Sequence, residues 1–112
     1  MSLRQLRALA LALPEVEERE TWGHPTFRVI GKVFLTISED GSAVTIKASI
    51  EEQAGLILAD PAAFAIAAHV GRYGWITAKR DQVSGAELED LVIQAWRRTA
   101  PRSLVASFDH RR

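Results

Sequence analysis

The sequence predicts a single α+β sandwich: an antiparallel sheet with helices packed on one of its faces. Three observations carry this. Apolar and polar residues alternate in short runs between residues 26 and 47, and turn residues separate the runs. Three Ser-x-x-Gln/Glu sequences each stand before a segment of helical period. The segments follow one another as helix, antiparallel strands, helix, strand, helix. The expected order is α-β-β-β(β)-α-β-α.

The first helix opens at Ser2 with Gln5 three residues on, a capping box. Leu3, Leu6, Ala10 and Leu13 fall on one face of it, and Pro14 ends it, because the residue before a proline avoids helical geometry. Glu15 to Glu20 is rich in glutamate and reads as a solvated loop leading into an edge strand; residues 17–22 are a candidate fourth strand. Gly23 and Pro25 punctuate this stretch. Thr26 to Ile30 reads as a strand, with Phe27 and Val29 on one face and Arg28 on the other. Gly31-Lys32 is a turn. Lys32 to Ser38 is the next strand, with Val33, Leu35 and Ile37 expected on one face and Phe34 and Thr36 on the other. Asp40-Gly41 is a hairpin signal, and Ala43 to Lys47 is the return strand.

Ser49 with Glu52 opens a second helix, whose buried stripe is expected to be Ile50, Ala54, Ile57 and Leu58, and Asp60-Pro61 ends it. Ala62 to Ala68 fits either a short buried strand or a helical turn. Gly71 and Gly74 flank Arg72-Tyr73 in a turn or loop, and Trp75 to Lys79 is a further strand. Ser84 with Glu87 opens the last helix, in which Leu88, Leu91, Val92, Ala95, Trp96 and Thr99 keep the helical period. One domain over residues 1–105 is expected, with residues 106–112 as a flexible tail.

Composition narrows the function classes. The chain of 112 residues is 47% hydrophobic and 25% charged, ordinary for a globular domain. It has no cysteine, which excludes disulfides, thiolate catalysis and cysteine metal sites. No apolar run approaches the roughly 20 residues of a membrane span, and a cytoplasmic location is expected. Lys plus Arg and Asp plus Glu are 14 each, so a strong sequence-independent grip on nucleic acid is not expected. The charge is uneven, however. Residues 1–64 carry 6 basic and 9 acidic side chains, and residues 65–112 carry 8 and 5. A basic face is available to the folded chain.

The most unusual stretch is Glu20 to Val29, with two aromatics, a histidine, a glycine, a proline and an arginine. His24 and His69 are candidate ligand contacts, and the bland role for each is to hold its own loop. Three scattered histidines without ligand spacing predict no metal site and no cofactor. The glutamates at 15, 17, 18 and 20 read as a solvated surface, no serine sits in a nucleophile pattern, and no enzyme activity is expected. Trp96 belongs to the core stripe. Trp22 and Trp75 stand beside glycines at strand ends, where either can stack on a base or pack over a sheet edge. Arg28, Lys47, Arg72, Lys79 and Arg80 are the candidate phosphate contacts.

Two stretches carry a family resemblance. Leu13-Pro14-Glu15-Val16-Glu17-Glu18 with Trp22-Gly23-His24-Pro25-Thr26-Phe27-Arg28-Val29-Ile30-Gly31-Lys32-Val33-Phe34 resembles the YjbR/MmcQ family. His69-Val70-Gly71-Arg72-Tyr73-Gly74-Trp75-Ile76-Thr77 and Val83-Ser84-Gly85-Ala86-Glu87-Leu88 resemble its second half. The resemblance implies a CyaY-like fold and DNA binding without catalysis. The loop before Trp75 departs from the family pattern: Gly71, Arg72 and Gly74 replace polar residues, and Arg72 is the main cation left there. The alternatives are a protein-interaction or regulatory module built on the Trp22–Phe27 loop, and a small-molecule binder using His24 and His69 together.

Overall fold

The computed structural model describes residues 1–111; Arg112 lies outside the described residues. Six strands form one antiparallel sheet: β1 (Val16–Thr21), β2 (His24–Val29), β3 (Lys32–Ile37), β4 (Ala43–Ile46), β5 (Phe64–Ile66) and β6 (Ile76–Lys79), in the order β1-β2-β3-β4-β6-β5. Four helices accompany it: α1 (Leu3–Ala12), α2 (Ile50–Ala59), α3 (Gly85–Thr99) and α4 (Arg102–Arg111). The α+β architecture is as expected, and β1 is the fourth strand of the meander.

The serine caps form as read. Ser2 accepts from the Gln5 amide while Gln5 bonds back to the Ser2 amide, and Ser49 and Ser84 accept from the Glu52 and Glu87 amides. The predicted stripe of α3 is buried at every position from Leu88 to Thr99. α3 lies over β3 and β4, and α1 lies over β1 and against α3. The Trp96 indole donates to the Pro14 carbonyl at 3.0 Å, which locks α3 to the end of α1. Arg98 of α3 stands 3.3 Å from Glu52, so α2 shares the same side of the sheet.

Residues directly opposed in an antiparallel pair project to the same face. The registers therefore define the covered face. One row runs Phe27, Leu35, Ile46, Ile76, and the next runs Ile37, Val44, Ala78, Phe64. All eight side chains are buried.

Three expectations need correction, and one open alternative is resolved. First, Phe34 is fully buried together with Leu35, because the β2–β3 register shifts between Phe27 and Arg28. The extra residue of this bulge turns both side chains inward. Burying a phenylalanine is worth about 1.5–3 kcal/mol, enough to hold the irregularity. It also moves Val33 to the face that carries Arg28 and Thr36. Second, the α2 stripe does not bury: Ile50, Ala54 and Leu58 are exposed, and Gln53 is the buried residue. α2 sits at the sheet's edge over β5, so a narrow side of it meets the protein. Third, Phe64–Ile66 settles the ambiguous stretch as an edge strand. Fourth, the tail expected from residue 106 is helical through Arg111. Leu104, Val105 and Phe108 of α4 pack on the core, with the Phe108 ring 4.9 Å from that of Trp96, and Arg97 pairs with Asp109. Among the described residues no helix is long and apolar enough to cross a membrane.

Candidate functional site

Among the described residues the helices pack on the core side of the sheet, and none covers its second face. Its residues alternate with the core rows, and the registers place one threonine from each of four adjacent strands in line: Thr26, Thr36, Thr45 and Thr77. Thr45 and Thr77 share a hydroxyl hydrogen bond at 3.2 Å. Thr26 donates to the Arg19 carbonyl at 2.8 Å and is buried. In the sequence the row shows only as a threonine at the outward position of each strand, without the charge or ring that marks the other candidates.

Cations frame this row. On one side the register continues as Arg28, Val33, Lys47 and Trp75; the Lys47 amide donates to the Phe34 carbonyl at 3.1 Å. On the other side lie His24, Ser38, Ala43 and Lys79, where Lys79 is opposite Ala43. Lys47 and Trp75 are half-buried and Lys79 is exposed. Arg28 does not project straight out. Its Nη2 reaches back to the Thr21 hydroxyl at 3.1 Å, so the side chain runs along the sheet past Thr26, and its Nε is buried without a partner. The guanidinium thus sits between the threonines and β1. Arg19 on β1 is paired with Glu17 at 2.9 Å.

Arg80 is not on this surface as a free cation. Its Nε donates to the Gly41 carbonyl and its Nη1 to the Met1 carbonyl, both at 2.8 Å. It ties the N-terminus and the β3–β4 hairpin to the end of β6, so its donors serve the fold. Arg72 is exposed and lies over the Tyr73 ring, 4.8 Å from its centre. It belongs to the loop between β5 and β6, at the Lys47 and Trp75 end of the strands.

That loop is fixed from beneath. The buried Gln53 amide donates to the carbonyls of Gly71 and Trp75, each at 2.8 Å. Gly74, at φ +99, approaches so closely that a Cβ would meet the Ala48 carbonyl oxygen at 2.8 Å, which accounts for a glycine there. His69 is exposed at φ +66, and Val70 N–H donates to the Ala68 carbonyl across it at 2.7 Å, a strained three-residue turn.

The two histidines do not meet. His24 begins β2, one strand from the β1 edge, and His69 follows β5 at the opposite edge and the opposite end of the strands. Four strand spacings, about 19 Å, separate β2 from β5. A site shared by both imidazoles is not formed. Trp22 is likewise apart from Trp75. It is 91% exposed at the tip of the β1–β2 hairpin, with φ +55, followed by Gly23 at φ +81. This is the backbone of a two-residue hairpin turn in which both residues are left-handed. Gly23 and Trp22 therefore set the strand entry. The Glu39 carboxylate lies over Gly23, where a Cβ would meet it at 2.8 Å, so the tip is locally acidic.

Among the described residues, Asp40 has a displaced pKa. Asp40 is lowered to about 2 because the Ser42 amide, the Ser42 hydroxyl and the Ser38 hydroxyl all donate to its carboxylate. This is hairpin chemistry between β3 and β4 and holds no reacting group.

The YjbR family model matches residues 11–98. Among solved structures, the crystal structure of Deinococcus radiodurans protein DR2400, with a DUF419 domain, superposes with a TM-score of 0.77 at 21% identity. The likeness covers 85% of this chain and 75% of that one, and at this identity it speaks for the fold. No curated protein matches.

Proposed function

The chain belongs to the YjbR family, and we propose that it is a non-catalytic, cytoplasmic nucleic-acid-binding domain that holds single-stranded DNA across the open face of its sheet. The observation that carries the reading is the threonine row framed by Arg28, Lys47 and Lys79, with Trp75 at its border. Hydroxyls and cations suit a phosphate backbone, and the indole gives a base a stacking surface. A flat face suits a single strand better than a duplex, whose grooves are read by a projecting helix or ribbon. With net charge zero, affinity is low and strongly salt-dependent.

Fluorescence anisotropy with labelled single-stranded and duplex oligonucleotides over a salt series tests this. Three phosphate contacts predict a log–log salt slope of roughly −2 on the single strand, since each contributes about −0.7. No binding at about 20–50 mM salt, where phosphate contacts are strongest, sinks the proposal.

The second reading is a protein-interaction module, and Trp22 favours it. A fully presented indole in a left-handed turn beside Glu39 is costly to keep and lies at the β1–β2 tip, away from Lys47 and Trp75. Trp22→Asn separates the two readings, because it leaves oligonucleotide binding unchanged if the open face is the site.

A further inference from the structure

The sheet has two free edges, and they differ. β1 carries Glu17, Glu18, Arg19 and Glu20, charges that discourage further strand pairing. β5 carries none. Residues 53–71 hold one acidic residue, Asp60, and no lysine or arginine. Of the seven exposed large hydrophobics among the described residues, Leu58 and Ile66 lie in this stretch, and Ile50 and Tyr73 flank it together with Glu51, Glu52 and Arg72. An exposed apolar patch with charges at its rim marks an association surface.

The backbone of β5 states what kind of partner fits. Ala67 N–H donates to Trp75 C=O, and Lys79 N–H donates to Ala63 C=O. Odd-numbered residues of β5 thus turn their polar groups toward β6, and Phe64 and Ile66 turn theirs outward. Phe64 N–H is taken by the Asp60 carbonyl. The N–H and C=O of Ile66 and the C=O of Phe64 face the open edge.

We propose that a second copy of this chain occupies this edge, with β5 pairing antiparallel to β5 across a two-fold axis at Ile66. Three features favour a second copy over a foreign strand. At this register Ile66 faces Ile66, and each N–H meets the other's C=O. β5 itself is apolar, so the paired strands carry no like-charge conflict. The same register sets the His69–Arg72 loop of one copy beside Asp60 of the other, which are opposite in sign. α2 stands on the same side of both sheets, so the exposed Ile50, Ala54 and Leu58 of the two copies close over the joint. The exposure of this stripe, which a monomer leaves unexplained, then has a cause. The axis also brings the two Trp75 and Lys47 rows nearly into line on the open face, about two residues or 7 Å out of register. The pairing rests on edge geometry alone, so it stands or falls separately from nucleic-acid binding.

Sedimentation equilibrium of the full chain tests the pairing. The wild type is expected to be a dimer, and Leu58→Glu and Ile66→Lys each raise the dissociation constant at least about tenfold. Leu58 is 86% exposed, so its substitution leaves the fold intact, which circular dichroism checks. The chain has no cysteine, so single-cysteine variants read geometry directly. Hydrogen-bonded antiparallel partners have Cα atoms about 5.5 Å apart, within disulfide reach. Ile66→Cys should cross-link under mild oxidation, and Ala8→Cys, exposed on α1, should not. A wild-type monomer at about 0.1 mM, a dimer that both charge substitutions leave intact, or equal cross-linking of the two cysteine variants overturns the proposal.

Discussion

Gln53 joins the fold to the candidate site, and its replacement by methionine measures that link. The side chain is 7% exposed, and its amide donates to Gly71 C=O and Trp75 C=O at 2.8 Å each. Gln53→Met keeps the length and removes both bonds. The carbonyls are not left bare: Gly71 C=O still accepts from Gly74 N–H, and Trp75 C=O from Ala67 N–H. The cost is therefore two net hydrogen bonds at about 0.5–1.5 kcal/mol each, roughly 1–3 kcal/mol, without the full penalty of orphaned groups. Gln53→Glu is worse at neutral pH, because an ionised carboxylate would face two carbonyl oxygens with nothing to donate. Its carboxyl is pushed up in the folded state, so that state binds more protons than the unfolded one. Stability of this variant must then rise as pH falls, regained once the new carboxyl is protonated. Urea unfolding followed by circular dichroism gives the midpoints, and tryptophan emission reports whether Trp75 has moved. A methionine variant within about 0.3 kcal/mol of wild type, or a glutamate variant as stable as the methionine one at pH 7, refutes the reasoning.

Trp22→Asn and Ile30→Asn should each stabilise the protein by about 0.5–1 kcal/mol in thermal or urea unfolding, because both residues occupy left-handed turn positions at φ +55 and +47 that asparagine adopts more readily. Arg80→Ala should cost roughly 2 kcal/mol through its two charged hydrogen bonds, and Arg80→Lys should rescue little, since one ammonium does not match the fork that spans Gly41 and Met1. NMR titration should find the Asp40 carboxylate ionising near 2. Since its folded value is lowered, the stability it contributes is present above about 3.8 and lost as pH falls toward 2, and Asp40→Asn should remove that dependence.

The parts of the fold legible in the sequence are those whose cause is local. Ser2, Ser49 and Ser84 cap helices because their partners lie three residues away, and the α3 stripe follows from period alone. Phe34 was not legible, since a bulge depends on the neighbouring strand. The apolar residues of α2 keep a helical spacing, but the position of α2 at the sheet edge decides which side is buried. The charged end of the chain reads as a tail, although Leu104, Val105 and Phe108 have the spacing of a helix face. At the site, residue type alone marks Lys47, Lys79 and Trp75, and the register puts them on one face. Residue type marks Arg80 equally, but its guanidinium is taken by the carbonyls of Gly41 and Met1, far away in sequence. The threonine row is not legible in the sequence, because each threonine is ordinary alone and gains meaning from register.

The most direct test of the central claim is an NMR titration of isotope-labelled protein with a short single-stranded oligonucleotide at low salt. Binding across the open face predicts amide and side-chain shifts at Thr36, Thr45, Lys47, Trp75, Thr77 and Lys79, with the Trp75 indole among the largest. Shifts confined to the helical side, or to the Trp22 hairpin, or no shifts at all, would contradict it.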